Sequence, residues 1–243
     1  MGQLCRMAPT LRYASGPSCG NVAGMYTSDL AAVAPQLFHL SAGDAWPSIV
    51  ERGLRSATWL VRQHGLDDER AAALLTAPRE QIEVIGDPAD PLGHATLRDQ
   101  KPLTLSKLER LVEGITPENY IRLINDRVYF YMKPADVERV RGVRDAEGQP
   151  QLMLTLDSRR LLADYQGSVR VAKINTGATI GMQGRRGPRT WLAIDKFPGR
   201  ATEVKEFTVL DGISDVTPYL VSAEIWQGGE KVEVLHPAKA GAH

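Results

Sequence analysis

Residues 36–54, QLFHLSAGDAWPSIVERGL, hold the transition on which the fold reading turns. Gln36-Leu37-Phe38-His39-Leu40 reads as a short strand. Ser41-Ala42-Gly43-Asp44 then offers N-caps to a helix with Trp46, Ile49 and Val50 on one face, closed by Gly53. Strand, tight turn and helix follow one another within nineteen residues.

Upstream of this stretch, residues 1–33 mix Gly, Ser, Pro and Ala without an apolar period. They are expected to form a flexible tail, leaving 34–243 as a single domain. Downstream, the Leu/Ala/Val spacing from Ser56 to about Gly86 reads as helical, and the Pro/Gly-rich Gly86–Gly93 as a loop. A second helical pair covers Leu105–Val112 and then Thr116 to Ile124, where Thr116 is the cap and Pro117 occupies the first turn. Arg127–Met132 is an aromatic-rich strand, ended by Pro134, which starts a short helix.

Beyond that helix the chain becomes β-rich. Gln151–Leu156, Ser168–Ile174, Arg189–Ile194, Glu203–Leu210, Tyr219–Trp226 and Lys231–Leu235 are strand candidates. One helix, Ser158–Tyr165, lies between the first two, and Gly228-Gly229 serves as a hairpin turn. Helices concentrated in the first half and strands in the second predict an α+β fold with a mainly antiparallel sheet, not a doubly wound parallel one.

Composition excludes several classes. The 43% apolar and 24% charged content is that of a globular chain, and 29 basic against 29 acidic residues leave no net charge. A nucleic-acid partner therefore has to be held by a local patch. Cys5 and Cys19 lie outside any expected core and form neither a disulfide framework nor a metal site, which points to a reducing cytoplasm. No run reaches the ~20 apolar residues of a membrane helix, and the N-terminus lacks a secretory signal, so no membrane partner is expected. The chain contains no P-loop, GxGxxG, HExxH, CxxC or GxSxG.

Of the histidines His39, His64, His94, His236 and His243, only His39 falls inside an apolar strand bordered by a turn. An imidazole at a strand end offers a donor and an acceptor in fixed directions, suited to a ribose hydroxyl; the plain alternative is a buried ring satisfied by a backbone carbonyl. Asn175 and Thr176, at the end of a strand and before Gly177, can present amide, hydroxyl and backbone N–H groups to a polar ligand, or form a simple turn. Arg185, Arg186 and Arg189 fall in a Gly-flanked loop beside Trp191, a set that can hold phosphates while the ring stacks a base, or can be a solvated basic loop. Arg98-Asp99-Gln100 is a polar cluster at a helix end or part of a site.

LFHLSAGDAWPSIVERGLRS resembles the opening of the ADP-ribosyltransferase superfamily, particularly the DarT-like DNA-modifying toxins. There a strand carries a histidine and a following Ser or Thr, and the next helix ends in a Gly-Leu pair; His39, Ser41 and Gly53-Leu54 match. RVYFYMKP is similar to the aromatic strand that follows the helical insertion in those toxins, which implies that Tyr129 or Tyr131 packs on nicotinamide. The family places an arginine just after this strand, where this sequence has Lys133. VKEFTVL, residues 204–210, resembles the strand of the catalytic glutamate, which makes Glu206 that residue and Glu203 its competitor.

The resemblance implies a split antiparallel sheet with a helical insertion in the first half. It implies NAD as substrate, bound by His39, Ser41, Tyr129 or Tyr131, Asn175 and Thr176, and no metal. ADP-ribose would pass to a nucleobase of DNA or RNA or to a protein, with Arg185, Arg186 and Arg189 on the acceptor. A bacterial toxin or defence effector with an antitoxin partner is the matching biology. The alternatives are a catalytically inactive ligand- or nucleic-acid-binding domain on the same scaffold, and an NAD glycohydrolase using water. The whole chain also resembles an uncharacterised bacterial family that shares LRDQKPL, INTGAT and the RRGP segment.

Overall fold

The computed structural model describes residues 24–101, 103–145, 148–180 and 184–236. The elements are α1 (Thr27–Val33), β1 (Gln36–Ala42), α2 (Trp46–Arg52), β2 (Leu54–Arg55), α3 (Ala57–Gln63), α4 (Asp68–Thr76), β3 (Glu83–Gly86) and β4 (His94–Leu97). They continue with α5 (Leu105–Leu108), α6 (Pro117–Asn125), β5 (Arg127–Phe130), α7 (Pro134–Asp145), β6 (Gln151–Asp157), α8 (Ser158–Tyr165) and β7 (Val169–Ala172). The last are β8 (Glu206–Leu210), β9 (Gly212–Ile213), β10 (Leu220–Gln227) and β11 (Glu230–His236). The fold is α+β, and every strand ladder among the described residues is antiparallel.

Local chemistry sets most helix ends. Ser56 Oγ accepts the Trp59 N–H, Asp67 the Arg70 N–H, Thr116 the Asn119 N–H and Asp157 the Arg160 N–H, each filling an otherwise unbonded donor of a first helical turn. Gly53 closes α2 at φ +83°, and a Cβ there would meet the Ile213 carbonyl oxygen at 2.2 Å. Only glycine lets the turn after α2 pack against β9.

Two sheets carry the domain, one in the order β1-β6-β10-β11 and one in the order β5-β8-β7. In β6 six of seven residues are buried, as expected of a strand covered on both faces. The sheets meet at one backbone pair: Phe38 N–H bonds the Tyr131 carbonyl at 2.9 Å and Tyr131 N–H the Phe38 carbonyl at 2.8 Å. The main core, including Leu37, Phe130, Leu154, Val171 and Phe207, spans both sheets. Separate clusters form beneath α3, α4 and the β3–β4 hairpin, and around Tyr120 and Trp191. No described helix is long and apolar enough to cross a membrane.

Four local expectations change. The expected 1–33 tail ends early, because α1 buries Leu30 and Ala31 in the main core, with Met25 and Ala34 beside them; residues 1–23 lie outside the described residues. The segment expected to stay helical to Gly86 ends in β3, which pairs with β4 across the Gly86–Gly93 loop. Arg189–Ile194 makes only the single pair Val171–Leu192, because Trp191 instead buries its ring against Tyr120 at 5.1 Å between centroids. Glu203 lies in a 3-10 turn, Ala201–Glu203, and the strand starts at Glu206.

Phe207 is fully buried in β8 and meets Phe130 edge-on at 5.9 Å, so it holds together the strands that carry the candidate site. Phe207→Ala is expected to cost about 3–5 kcal/mol. Urea unfolding at constant slope checks this, and a loss below about 1 kcal/mol would mean that the site strands do not depend on this contact.

Candidate functional site

After the Phe38–Tyr131 pair the ladder between β1 and β5 is not continued, and a cleft of about 280 Å³ opens beside the two strands. This is near the lower end for small-molecule sites, ~300–1,000 Å³. His39, Ser41, Tyr129 and Tyr131 all line it. These four of the expected ligand residues therefore converge, although nearly ninety positions separate the two strands.

His39 Nδ1 lies 2.9 Å from the Tyr129 carbonyl oxygen, and its ring packs on Phe130 at 5.7 Å. A carbonyl only accepts, so Nδ1 carries the hydrogen and the neutral ring keeps an acceptor at Nε2. Burial holds the imidazole down at about 4, against the pull of the Tyr129 carbonyl and with help from Arg98, so the ring is neutral at physiological pH. The plainer of the two readings of His39 is observed, since one ring nitrogen satisfies a backbone carbonyl.

The cleft is cationic. Arg55, Arg79, Arg98, Arg127 and Arg144 line it against one carboxylate, Asp44. Arg98 bonds the Ser41 carbonyl and, at 2.7 Å, Gln151 Oε1, so it ties the end of β1 to the start of β6. Arg144 pairs with the buried Asp99 at 2.9 Å. Arg79 donates to the Leu74 and Arg98 carbonyls and to Asn125, and burial lowers it to about 10, leaving it charged at neutral pH. Arg127 lies 4.3 Å over the Trp191 ring and Arg55 4.7 Å over Trp59. In place of an arginine after the aromatic strand, cations come from five separate segments.

His94, expected in a loop, begins β4 and lines the same cleft. Its Nδ1 faces the Asp90 carbonyl at 2.8 Å and its Nε2 faces Asp44 Oδ2 at 3.1 Å. Both partners accept, so the protonated ring satisfies both; the Asp90 carbonyl first and Asp44 second raise its pKa. Nothing in the local sequence marks it, because Asp44 is fifty positions away.

Glu206 belongs to a second constellation that adjoins the cleft without lining it. Its Oε1 accepts the Thr176 N–H at 2.9 Å and its Oε2 the Thr176 hydroxyl at 2.6 Å. Tyr129 Oη is 3.3 Å from the same Thr176 oxygen. Thr176 has one hydroxyl proton; when Glu206 is ionised that proton goes to the carboxylate and Tyr129 donates to the Thr176 oxygen, so the order in that state is Tyr129 to Thr176 to Glu206. Burial pushes the Glu206 carboxyl up to about 7, against the Thr176 hydrogen bonds and the Arg186 charge. Tyr129 lines the cleft and reaches Thr176 with its hydroxyl, so it is common to the cleft and the carboxylate site.

The remaining expected residues separate. Asn175 is exposed and Thr176 is buried on Glu206; neither lines the cleft. Arg186 is buried and spends its guanidinium on backbone carbonyls, whereas Arg185 and Arg189 are exposed. Arg186 is thus withdrawn from any acceptor. Glu203, the competitor of Glu206, bonds Lys173 at 2.7 Å, which together with the Arg200 N–H holds it down at about 2. Among the described residues no group of three His, Cys, Asp or Glu is placed to hold a metal ion.

A family model described as a family of unknown function, DUF7002, matches residues 35–220. The chain belongs to DUF7002. The DUF7002 match begins one residue before β1 and ends on the first residue of β10, so it contains every residue of the cleft and of the Glu206 network. No curated protein and no solved structure matches the chain.

The raised Glu206 carboxyl has a measurable consequence. Between its ordinary value of 4.5 and about 7 the folded protein holds a proton that the unfolded chain has released. Stability from this residue is therefore fullest below 4.5 and declines as pH rises towards 7. Glu206→Gln cannot ionise, so its stability relative to wild type is expected to improve between pH 5 and pH 8, by on the order of 1–3 kcal/mol. Urea midpoints at both pH values test this; a difference that does not change with pH would put the carboxyl back at its ordinary value.

Proposed function

We propose that the protein is an NAD-dependent ADP-ribosyltransferase that takes NAD into the His39 cleft and uses Glu206 as its catalytic carboxylate. The observation that carries this reading is the cleft lining: five arginines against one carboxylate, beside a neutral histidine and two tyrosines. A diphosphate needs cations, a ribose hydroxyl needs an acceptor such as His39 Nε2, and nicotinamide needs an aromatic wall such as Tyr129 or Tyr131.

In the reaction the bond between ribose C1′ and the nicotinamide nitrogen breaks, and its electron pair leaves with the now neutral nicotinamide. The sugar carries the positive charge until the acceptor's lone pair forms the new bond and the acceptor loses a proton. An ionised Glu206 would stabilise that charge and polarise the acceptor. For this the carboxylate has to face the sugar while Thr176 holds it, and Tyr129 is the residue that touches both His39 and the Thr176–Glu206 pair. Arg185 and Arg189, the exposed members of the basic loop, are the proposed contacts to a DNA, RNA or protein acceptor. A cytoplasmic toxin or defence effector held by an antitoxin partner is the setting this chemistry fits.

One observation favours a second reading, a domain that binds the nucleotide without turnover: Glu206 is bonded to Thr176 and does not line the cleft. Purified protein titrated with NAD and assayed for nicotinamide release, with DNA, RNA, protein or water as acceptor, separates the two. The transferase is expected to bind NAD and release nicotinamide, Glu206→Gln to bind equally and release on the order of 10²-fold less, and His39→Ala to bind more weakly. Binding without release under any acceptor would establish the second reading. Release with water alone would make the protein a glycohydrolase, and absence of NAD binding would overturn all three.

A further inference from the structure

Arg186 is a buried cation outside the cleft. It is 2% exposed, and its guanidinium donates to the Thr176 carbonyl at 3.0 Å, to the Asn175 carbonyl at 3.2 Å and to the Ala178 carbonyl. Three carbonyls of a single turn are held by one rigid fork of N–H donors. The Arg186 backbone is fixed from the other side: its N–H bonds the Leu111 carbonyl at 2.9 Å, and its carbonyl accepts the Glu113 N–H at 2.8 Å. The next residue, Gly187, packs so closely that a Cβ would meet the Glu113 carbonyl oxygen at 2.4 Å. The Asn175–Ala178 turn is therefore tied through Arg186 to the segment that follows α5, a part of the helical first half.

That turn presents the Thr176 N–H and hydroxyl to the two oxygens of Glu206. We propose, on the reading of Glu206 as the reacting carboxylate, that Arg186 is a positioning residue, which fixes the direction of the Glu206 carboxylate through Thr176. A side-chain carboxylate at the start of a strand keeps rotamer freedom, and two hydrogen bonds from one residue remove it. The bonds also favour the charged form against burial, as does the Arg186 charge itself. A clamp that served only to close the loop would have no such link to the carboxylate.

The test uses Arg186→Lys, which keeps a charge and loses the fork, together with Thr176→Val, which removes the hydroxyl at nearly constant volume. Three quantities are read on the full chain: NAD affinity, the pH profile of nicotinamide release, and the ionisation midpoint of Glu206. The midpoint comes from carbon NMR of glutamate labelled at the carboxyl and assigned with Glu206→Gln. Both variants are expected to bind NAD within about twofold of wild type, since neither residue lines the cleft. Release at pH 7 should fall about tenfold, and the Glu206 midpoint and the pH profile should move upward together by about one unit. Thr176→Ser should restore both.

An unmoved midpoint in Arg186→Lys or in Thr176→Val overturns the proposal, and so does release at pH 7 in either variant equal to that of a wild type that turns over. If wild type binds no NAD or releases no nicotinamide, the transferase reading fails, and the NMR midpoint alone still decides whether Thr176 controls the carboxylate. Should Arg186→Lys not fold, Gly187→Ala displaces the same clamp from Glu113, and its midpoint is expected to move in the same direction.

Discussion

A single backbone pair, Phe38 with Tyr131, joins the two sheets, and the cleft exists because the ladder stops there. In a continued antiparallel ladder the next hydrogen-bonded pair would be Leu40 with Tyr129. The Tyr129 carbonyl is taken instead by the His39 side chain. A buried carbonyl has to be satisfied, and a ring nitrogen reaches across a wider gap than a backbone N–H does. The histidine is thus the prop that allows β1 and β5 to part while the interior stays bonded. The same bond decides its tautomer, and with it the acceptor left for a ligand.

The charge of the cleft follows from how its arginines are held. The chain as a whole carries no net charge, yet five guanidinium groups line one cleft with one carboxylate among them. Arg79 donates to the Leu74 and Arg98 carbonyls and to Asn125, and Arg127 to the Leu123 carbonyl. Neutral oxygens solvate a guanidinium without cancelling its charge, so its field persists in the cleft. Asp99 neutralises Arg144 in part, but it stands outside the lining. Such an arrangement makes the cleft electropositive whatever chemistry it serves.

Where one residue's local chemistry decides an element, the sequence was readable. Thr116-Pro117 starts α6, Ser158–Tyr165 is α8, and the apolar run of Gln36–Leu40 is β1. Helix α1 escaped because Leu30, Ala31 and Ala34 are too few and too small to show a period, and only burial against the core makes them a helix. The β3–β4 hairpin escaped because its strands have four residues each and a loop full of turn formers. For the cleft, His39, Ser41, Tyr129 and Tyr131 are named from two motifs, and they meet because three lie on β1 and β5 and Tyr131 bridges the end of β5 to Phe38. His94 and Arg144 could not be, because their partners Asp44 and Asp99 are fifty and forty-five positions distant. Arg185, Arg186 and Arg189 are equivalent as sequence; only the backbone bonds to Leu111 and Glu113 turn Arg186 inward and leave the other two in solvent.

Tyr129 is where the two halves of the site become one object. Its carbonyl meets His39 and its hydroxyl meets Thr176, which holds Glu206. Both ends are fixed by one stretch of β5, paired to β8 with Tyr129 opposite Thr208. Burial holds the phenol protonated, so its hydroxyl has a proton to give to Thr176 while Thr176 bonds an ionised Glu206. A shift of β5 against β1 would change the histidine's support and the carboxylate's hydrogen bonding in the same movement. The position of β5 thus ties the cationic cleft to the carboxylate through one residue, Tyr129, without any separate connecting element.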